Sequence, residues 1–335
     1  MSVVDWLRVF RAQTYPASLL LVLIFYFLGG GELISWYTLY LALFTLITHY
    51  SSFGHNSLMD SCRVPRIGEL PYDVQDPNKK HHPLVSGRID LQKAHKVIHS
   101  LLILSVVYGI VLVYFSEGNK FLATVCLLLC LAFGHAYNDG LDKASYHNYL
   151  VISSCFTAFG LFGYFLVAEK FSIEAILLAV YVFFLEWFEN NVEGSLKEIE
   201  TKAEKNIMSL LGCRVQKGEL IIPVKAKIYG LSIKVISLLA LAPLLAIFDN
   251  VACKVIYIVF SVITLKKAIT ILTGGKYDRD KLLIAFSIEE ILSIFLPYFV
   301  LSPVLGFQIL LLLPVGVAYF LAINKINWGV CFPKV

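Results

Sequence analysis

Residues 95–115 read HKVIHSLLILSVVYGIVLVYF, and after Ser116-Glu117-Gly118-Asn119 the chain resumes with KFLATVCLLLCLAFGHAY over 120–137. Each run approaches the roughly 20 mainly apolar residues that a helix needs to cross a hydrocarbon layer. Only a short polar turn separates them, so the pair predicts two membrane helices. Working outward, comparable runs occupy 14–31, 34–54, 148–168, 173–189, 228–248, 251–271, 282–301 and 305–323. Ten candidate spans result, or nine if one segment is short or re-entrant. No Asn-Gly hairpin or alternating strand pattern interrupts them. In lipid a backbone must satisfy its own polar groups, so helices are expected. The predicted fold is an all-α polytopic bundle of nine or ten helices around a central cavity, one integral-membrane domain over residues 1–335.

Composition agrees. Of 335 residues, 58% are hydrophobic and only 16% charged, against about 25% charged in soluble domains, and the mean hydropathy is +0.74. A soluble core could not hide so much apolar surface. The lipid bilayer is the expected environment, and no nucleic-acid partner is expected. Seven cysteines include Cys126 and Cys130, one helical turn apart in an apolar run, and no disulfide framework emerges. Arg8 and Arg11 precede the first apolar run without a small-x-small cleavage site, so a retained first helix is expected.

Lysine and arginine test the topology independently. If ten spans alternate, one face receives both termini and the loops at 55–94, 137–147, 189–227 and around 272–281. It carries almost all the basic residues. The opposite face keeps only Lys120, Lys170 and Lys254. The rich face, with both termini, is predicted to be cytoplasmic, and its long polar loops are where function should lie.

Three segments on that face could carry chemistry. The first is His55-Asn56-Ser57-Leu58-Met59-Asp60, followed by Asp73, Asp76 and then Lys79-Lys80-His81-His82-Pro83-Leu84-Val85-Ser86-Gly87-Arg88. Asn56 and Asp60 share one helix face a turn apart. Carboxylates followed by cations suit a metal-bound phosphate, although an ordinary solvated loop explains the charges equally well. The second is Glu186-Trp187-Phe188-Glu189-Asn190-Asn191-Val192-Glu193-Gly194, with Glu198 and Lys205 beyond it. Acids and amides closing an apolar helix are costly unless they serve a site. A surface helix with Glu198–Lys202 pairing accounts for the later part only. The third, Tyr137-Asn138-Asp139-Gly140-Leu141-Asp142-Lys143 with Tyr146, His147 and Asn148, could equally be an interfacial turn with tyrosine anchors.

Taken in order, these segments resemble the UbiA superfamily of intramembrane prenyltransferases over about residues 8–301. Asn56-x-x-x-Asp60, Asp76 and His82-Pro83-Leu84-Val85-Ser86-Gly87 are similar to its first Asp-rich motif. Asn190-Asn191-Val192-Glu193-Gly194 through Glu198, Lys205 and Leu211-Gly212 are similar to its second. Tyr137, Gly140 and Tyr146, with the opening Arg11 to Leu19, resemble the menaquinone-pathway (1,4-dihydroxy-2-naphthoate prenyltransferase-like) branch. Lys143 and Asn148 resemble other branches. Departures are visible: Ser57 stands where an Asp is usual, the Asp60–Asp76 interval is long, His82 replaces an Arg, and Gly194 and Glu198 replace aspartates.

The resemblance implies Mg²⁺-dependent transfer of a polyprenyl group from a prenyl diphosphate to a hydrophobic, aromatic quinone-precursor acceptor, with two Mg²⁺ ions. It implies metal ligation by Asn56, Asp60, Asp76, Asn190, Asn191 and Glu198, with Asp73 and Glu193 as substitutes. Diphosphate binding falls to Arg11, Lys79, His82, Lys143 and Lys205. Tyr137 and Tyr146 would face the allylic cation, and Asp60, Asp76 and Lys143 join them in catalysis. Two other readings stay open: transfer to geranylgeranylglyceryl phosphate in archaeal-type lipid synthesis, and a non-catalytic or transporter-like protein. A metalloprotease is a weaker reading still, since Lys96 stands where His95-x-x-x-His99 would need Glu. His49, His55, His135 and His147 show no partner pattern.

Overall fold

In the computed structural model, which describes residues 2–67, 82–141, 147–197, 199 and 206–331, every apolar run of the sequence falls on a helix. In chain order these are α1 (Val3–Val9), α2 (Tyr15–Leu28), α3 (Trp36–Ile67), α4 (Leu91–Phe115), α5 (Lys120–Ala136), α6 (Asn148–Phe165), α7 (Ile173–Trp187), α8 (Val224–Leu241), α9 (Val251–Thr273), α10 (Arg279–Leu305) and α11 (Leu312–Trp328). Seven helices among the described residues are long and apolar enough to cross a membrane, and α1 with α2, bent by 61°, makes up to eight. The expected nine or ten spans are not reached by that measure. α7 is only 15 residues long and α3 is interrupted by Thr45, Thr48, His49, Ser51 and Ser52, yet both pack against their neighbours in the bundle. The fold is nonetheless an all-α membrane bundle.

Side-chain placement explains why this bundle belongs in lipid. On α4, Ile103, Val107, Ile110, Val111 and Tyr114 recur at three- and four-residue spacing and point outward, while Ser105, Gly109 and Leu112 point in. α9 does the same with Val255, Ile258, Val259 and Val262 outside. The apolar stripe faces away from the core, as it must where the surroundings are hydrocarbon. Inside, glycines let helices approach closely. A Cβ on Gly163 of α6 would lie 2.7 Å from the Val22 carbonyl oxygen of α2, and one on Gly160 would lie 2.5 Å from the Phe25 ring.

Helix ends are set by side-chain caps. Asp90, Asn119, Ser172, Asn250 and Asp278 each accept the amide hydrogen three residues on, satisfying donors that the helix leaves open. At 1.5 Å per residue, the 32 residues of α3 extend about 48 Å, well past a hydrocarbon layer of about 30 Å. Asn56 and Asp60 ride on its last turns. α5 and α7 both widen into π turns, Tyr137–Leu141 and Phe188–Glu193, where the second and third polar segments begin. Such bulges recur at functional positions.

One feature departs from expectation. β1 (Arg214–Gln216) and β2 (Glu219–Ile221) form an antiparallel hairpin, with β3 (Gly275–Lys276) added beside β2. Lys217 and Gly218 make the turn at φ 52° and 77°, the paired positive values that a tight hairpin requires. Leu220 and Ile222 anchor the hairpin in a core with Phe188, Val192 and Leu272.

Candidate active site

The last turns of α3 meet the bend between α1 and α2. Arg11 occupies that bend with φ 47°, a left-handed conformation uncommon for a residue bearing a side chain. The kink carries its guanidinium to α3. Arg11 Nη2 donates to Asn56 Oδ1 at 2.8 Å and lies 3.9 Å from Asp60 Oδ2. Asn56 Nδ2 in turn donates to Asn138 Oδ1 at 3.1 Å, and Asn138 Nδ2 to the Ser52 carbonyl at 3.0 Å. Arg11, Asn56, Asp60 and Asn138 therefore form one polar group at the ends of three elements. Asn138, from the π turn of α5, is the member that sequence reasoning missed.

A second group stands at the end of α7. Asn190 Nδ2 donates to Glu186 Oε2 at 2.9 Å and to the Glu186 carbonyl at 3.0 Å. Glu189, Glu193, Glu289 and Glu290 lie within electrostatic reach of one another, and Glu189 and Glu290 of Glu186. Lys234 of α8 pairs with Glu289 and donates to Ser293 Oγ at 2.8 Å. Three carboxylate oxygens here, Glu189 Oε1, Glu193 Oε1 and Glu289 Oε2, are buried without a hydrogen-bond partner. Buried carboxylates so arranged are costly unless cations join them. Glu289, Glu290 and Lys234 were absent from the sequence assignment, although ionisable residues in the middle of apolar spans were the available signal.

Not every predicted residue joins these groups. Asn191 is buried and donates to the Tyr229 hydroxyl at 3.1 Å, which also receives Trp187 Nε1 at 2.9 Å. That hydrogen bond ties the end of α7 to α8. His82 Nδ1 accepts the Leu84 amide at 3.4 Å, and Leu84 is buried against Val9, Leu58 and Ile89. The Pro83–Gly87 segment is thus a turn pinned by its leucine, with Gly87 at φ 71°. Tyr137 opens the π turn of α5. Asp73, Asp76, Lys79, Lys143, Tyr146, Glu198 and Lys205 lie outside the described residues.

Between α2, α10 and α11 a small opening is lined by Gln13, Thr14, Leu20, Glu290, Phe295 and Phe320, among others. It is mostly apolar, with Gln13, Thr14 and Glu290 at its polar margin. Of the acidic group, Glu290 reaches this opening. Around it the donors are amide and carboxylate oxygens, the set a hard divalent cation prefers.

A bundle of apolar helices that holds two oxygen-rich groups at helix ends is the arrangement of an intramembrane enzyme that handles charged headgroups on greasy substrates. Residues 18–288 match the UbiA prenyltransferase family, and the chain belongs to it. No curated protein sequence matches the chain significantly. Among solved structures, a UbiA homolog from Archaeoglobus fulgidus bound to DMAPP and Mg²⁺ superposes with a TM-score of 0.62 at 18% identity, covering 89% of this chain and 99% of that one. A digeranylgeranylglyceryl phosphate synthase gives 0.62 at 16% identity, covering 89% and 96%. The apo UbiA homolog from Aeropyrum pernix K1 gives 0.60 at 14% identity, covering 88% and 98%. At these identities the likeness is one of fold.

Proposed function

We propose that this prenyltransferase moves a polyprenyl group from a prenyl diphosphate to an aromatic, quinone-precursor acceptor, with Mg²⁺ at the diphosphate. The observation that carries the reading is the group of buried, unpartnered carboxylate oxygens at the end of α7, with the Arg11–Asn56–Asp60 group as the second oxygen-rich set of donors. Asn56, Asp60, Asn190 and Glu193, with Asp73, Asp76 and Glu198, are the residues that would hold two Mg²⁺ ions. Asn191, whose Nδ2 is held by Tyr229, would join them through its side-chain oxygen. Bound Mg²⁺ supplies Lewis-acid stabilisation of charge on a departing diphosphate.

The chain's own residues do the rest. Arg11, with Lys79, His82, Lys143 and Lys205, binds and orients the diphosphate, each cation opposing the charge that grows as the allylic C–O bond ionises. The helices exclude water from the allylic cation. Tyr137 and Tyr146 offer it π-faces worth about 0.5–2 kcal/mol each. The opening beside Glu290 admits the acceptor from the apolar side. The asymmetry of Lys and Arg supports placing both termini and this site on the cytoplasmic face.

The aromatic acceptor is favoured by the Tyr137, Gly140 and Tyr146 spacing and by the Arg11–Leu19 segment. A glyceryl-phosphate acceptor is favoured by Pro83–Gly87 and by Lys143 with Asn148. Purified protein given Mg²⁺, a set of prenyl diphosphates and naphthoate, benzoate or glyceryl-phosphate acceptors should yield a prenylated aromatic product by mass spectrometry. Asp60→Ala should lower the rate by about 10²–10³-fold, the loss typical of removing a group that stabilises developing charge. Turnover unchanged in a folded Asp60→Ala variant removes the metal assignment. Product with the glyceryl phosphate alone removes the aromatic one.

A further inference from the structure

One residue before Asn56, and turned about 100° round α3, His55 points away from the Arg11 group toward the end of α5. Its Nε2 lies 3.1 Å from Asp139 Oδ1, and His135 Nε2 lies 3.0 Å from Asp139 Oδ2. The two imidazoles stack with centroids 4.6 Å apart. All three ligand atoms fall within 4.8 Å of one another. An ion with bonds of about 2.0–2.1 Å to tetrahedral ligands sets those ligands about 3.3 Å apart. Each imidazole nitrogen lies near that distance from its own oxygen of Asp139, and one ligand atom from each of the three residues falls within 4.8 Å of the other two.

The cluster sits where α5 passes into its π turn. Asp139, four residues after His135, lies on its helix face, while Asn138 beside it reaches Asn56 and the Ser52 carbonyl. His55, His99, His135, Gly134, Cys130 and Cys155 line one hollow beside the three ligands. His55 is buried, but His135 and Asp139 are 43% and 47% exposed at their side chains, so an ion can reach the position from outside. The donor chemistry differs from that of the other two groups. Two imidazoles and one carboxylate suit zinc-class transition metals, whereas Mg²⁺ is held through oxygen.

We propose that His55, His135 and Asp139 bind a divalent transition-metal ion of the zinc class, at a site separate from the Mg²⁺ ligands. The ion clamps α3 to the π turn of α5. It thereby fixes Asn138 against Asn56, making the three ligands positioning residues for the polar group beside them. The site stands on these residues and distances alone, and does not depend on which acceptor is prenylated.

The test is calorimetric titration of Zn²⁺ into the purified full chain in detergent, with Mg²⁺ in large excess to occupy oxygen sites. One ion per chain is expected, together with the absorption of tetrahedral cobalt when Co²⁺ is used. Asp139→Asn should weaken binding at least about tenfold, His135→Ala should abolish it, and Asp60→Asn should leave it unchanged. His135→Gln, similar in size and polarity, replaces His135→Ala should that variant not fold. Zn²⁺ should also slow amide exchange over residues 137–141. The inference is overturned if neither Zn²⁺ nor Co²⁺ binds saturably beside Mg²⁺, which leaves a hydrogen-bonded His–Asp–His cluster only. It is equally overturned if binding survives both the Asp139 and His135 substitutions, which places the ion elsewhere.

Discussion

Lys234→Met is the most informative single change in this protein. Lys234 and Glu289 are both fully buried, each with 0% of its side chain exposed. The ammonium pairs with Glu289, donates to Ser293 Oγ at 2.8 Å and lies 5.3 Å from the centre of the Phe188 ring. Ser293 Oγ completes the set by donating to Glu289 Oε1 at 2.9 Å. Methionine fills a similar volume, so the cavity term is small. What remains is a buried carboxylate beside Glu193 and Glu189 with its cation removed, and breaking such a pair costs about 3–5 kcal/mol. At about 2 °C per kcal/mol for a chain of this size, the apparent melting midpoint falls by about 6–10 °C. Replacing both partners, Lys234→Met with Glu289→Leu, should return most of that loss, since a buried pair is often exchangeable for apolar residues of like volume. Thermal unfolding in detergent at one fixed scan rate, followed by tryptophan fluorescence, reads the parent, the single variant and the double variant. A single variant within about 2 °C of the parent, or a double variant no better than the single, refutes the electrostatic account.

Three further outcomes follow from local geometry. Arg11→Gly should relieve a left-handed residue worth about 1 kcal/mol while removing the donor to Asn56, so the midpoint holds or rises as prenyl transfer drops. A lower midpoint with unchanged turnover would show Arg11 to be structural. Gly163→Ala must push its methyl group against the Val22 carbonyl oxygen at 2.7 Å, and overpacking of this kind costs about 1–3 kcal/mol; an unchanged midpoint means that α2 and α6 part freely. Asp278 caps α10 by accepting the Lys281 amide at 3.1 Å, and that backbone hydrogen bond, with Lys281's side chain, holds its carboxyl below the ordinary value. A depressed carboxylate stabilises above its unfolded pKa and loses that contribution as pH falls through the folded value. Amide exchange at 279–282 should therefore quicken in acid for the parent and not for Asp278→Asn, whose amide oxygen accepts at any pH; equal acid sensitivity in both removes the cap argument.

The helices were legible because hydrophobic runs long enough to cross lipid leave little else for a backbone to do. The pairing of Asn56 with Asp60 was legible for a similar reason, since residues four apart share a helix face. Arg11 was placed near that pair by resemblance, but its route there, a left-handed bend that no side-chain pattern announces, was not. The small sheet escaped notice because its strands are two or three residues long and β3 comes from far along the chain. Lys217-Gly218 was its only local sign. Lys234, Glu289 and Glu290 were hidden differently: each is a brief polar interruption within an otherwise convincing span. In the His55–His135–Asp139 cluster, His135 and Asp139 are four apart, but His55 comes from another helix, a contact that spacing along the chain cannot express.

That contrast bears on how the polar groups are kept in place. A carboxylate in an apolar bundle must be offset by cations, and the described residues supply Arg11 to the first group and Lys234 to the second, with Lys197 in electrostatic reach of Glu193 and Glu290. The second group still holds more acids than bases. The surplus is tolerable only if a bound cation, or protonation, completes the balance whenever substrate is present. Binding that stabilises the folded state in this way draws its free energy from the imbalance. An acidic surplus at the end of α7 is therefore consistent with a site whose ligands include divalent ions. Were Glu189 and Glu193 there only to pack, apolar residues of similar volume would serve the bundle better.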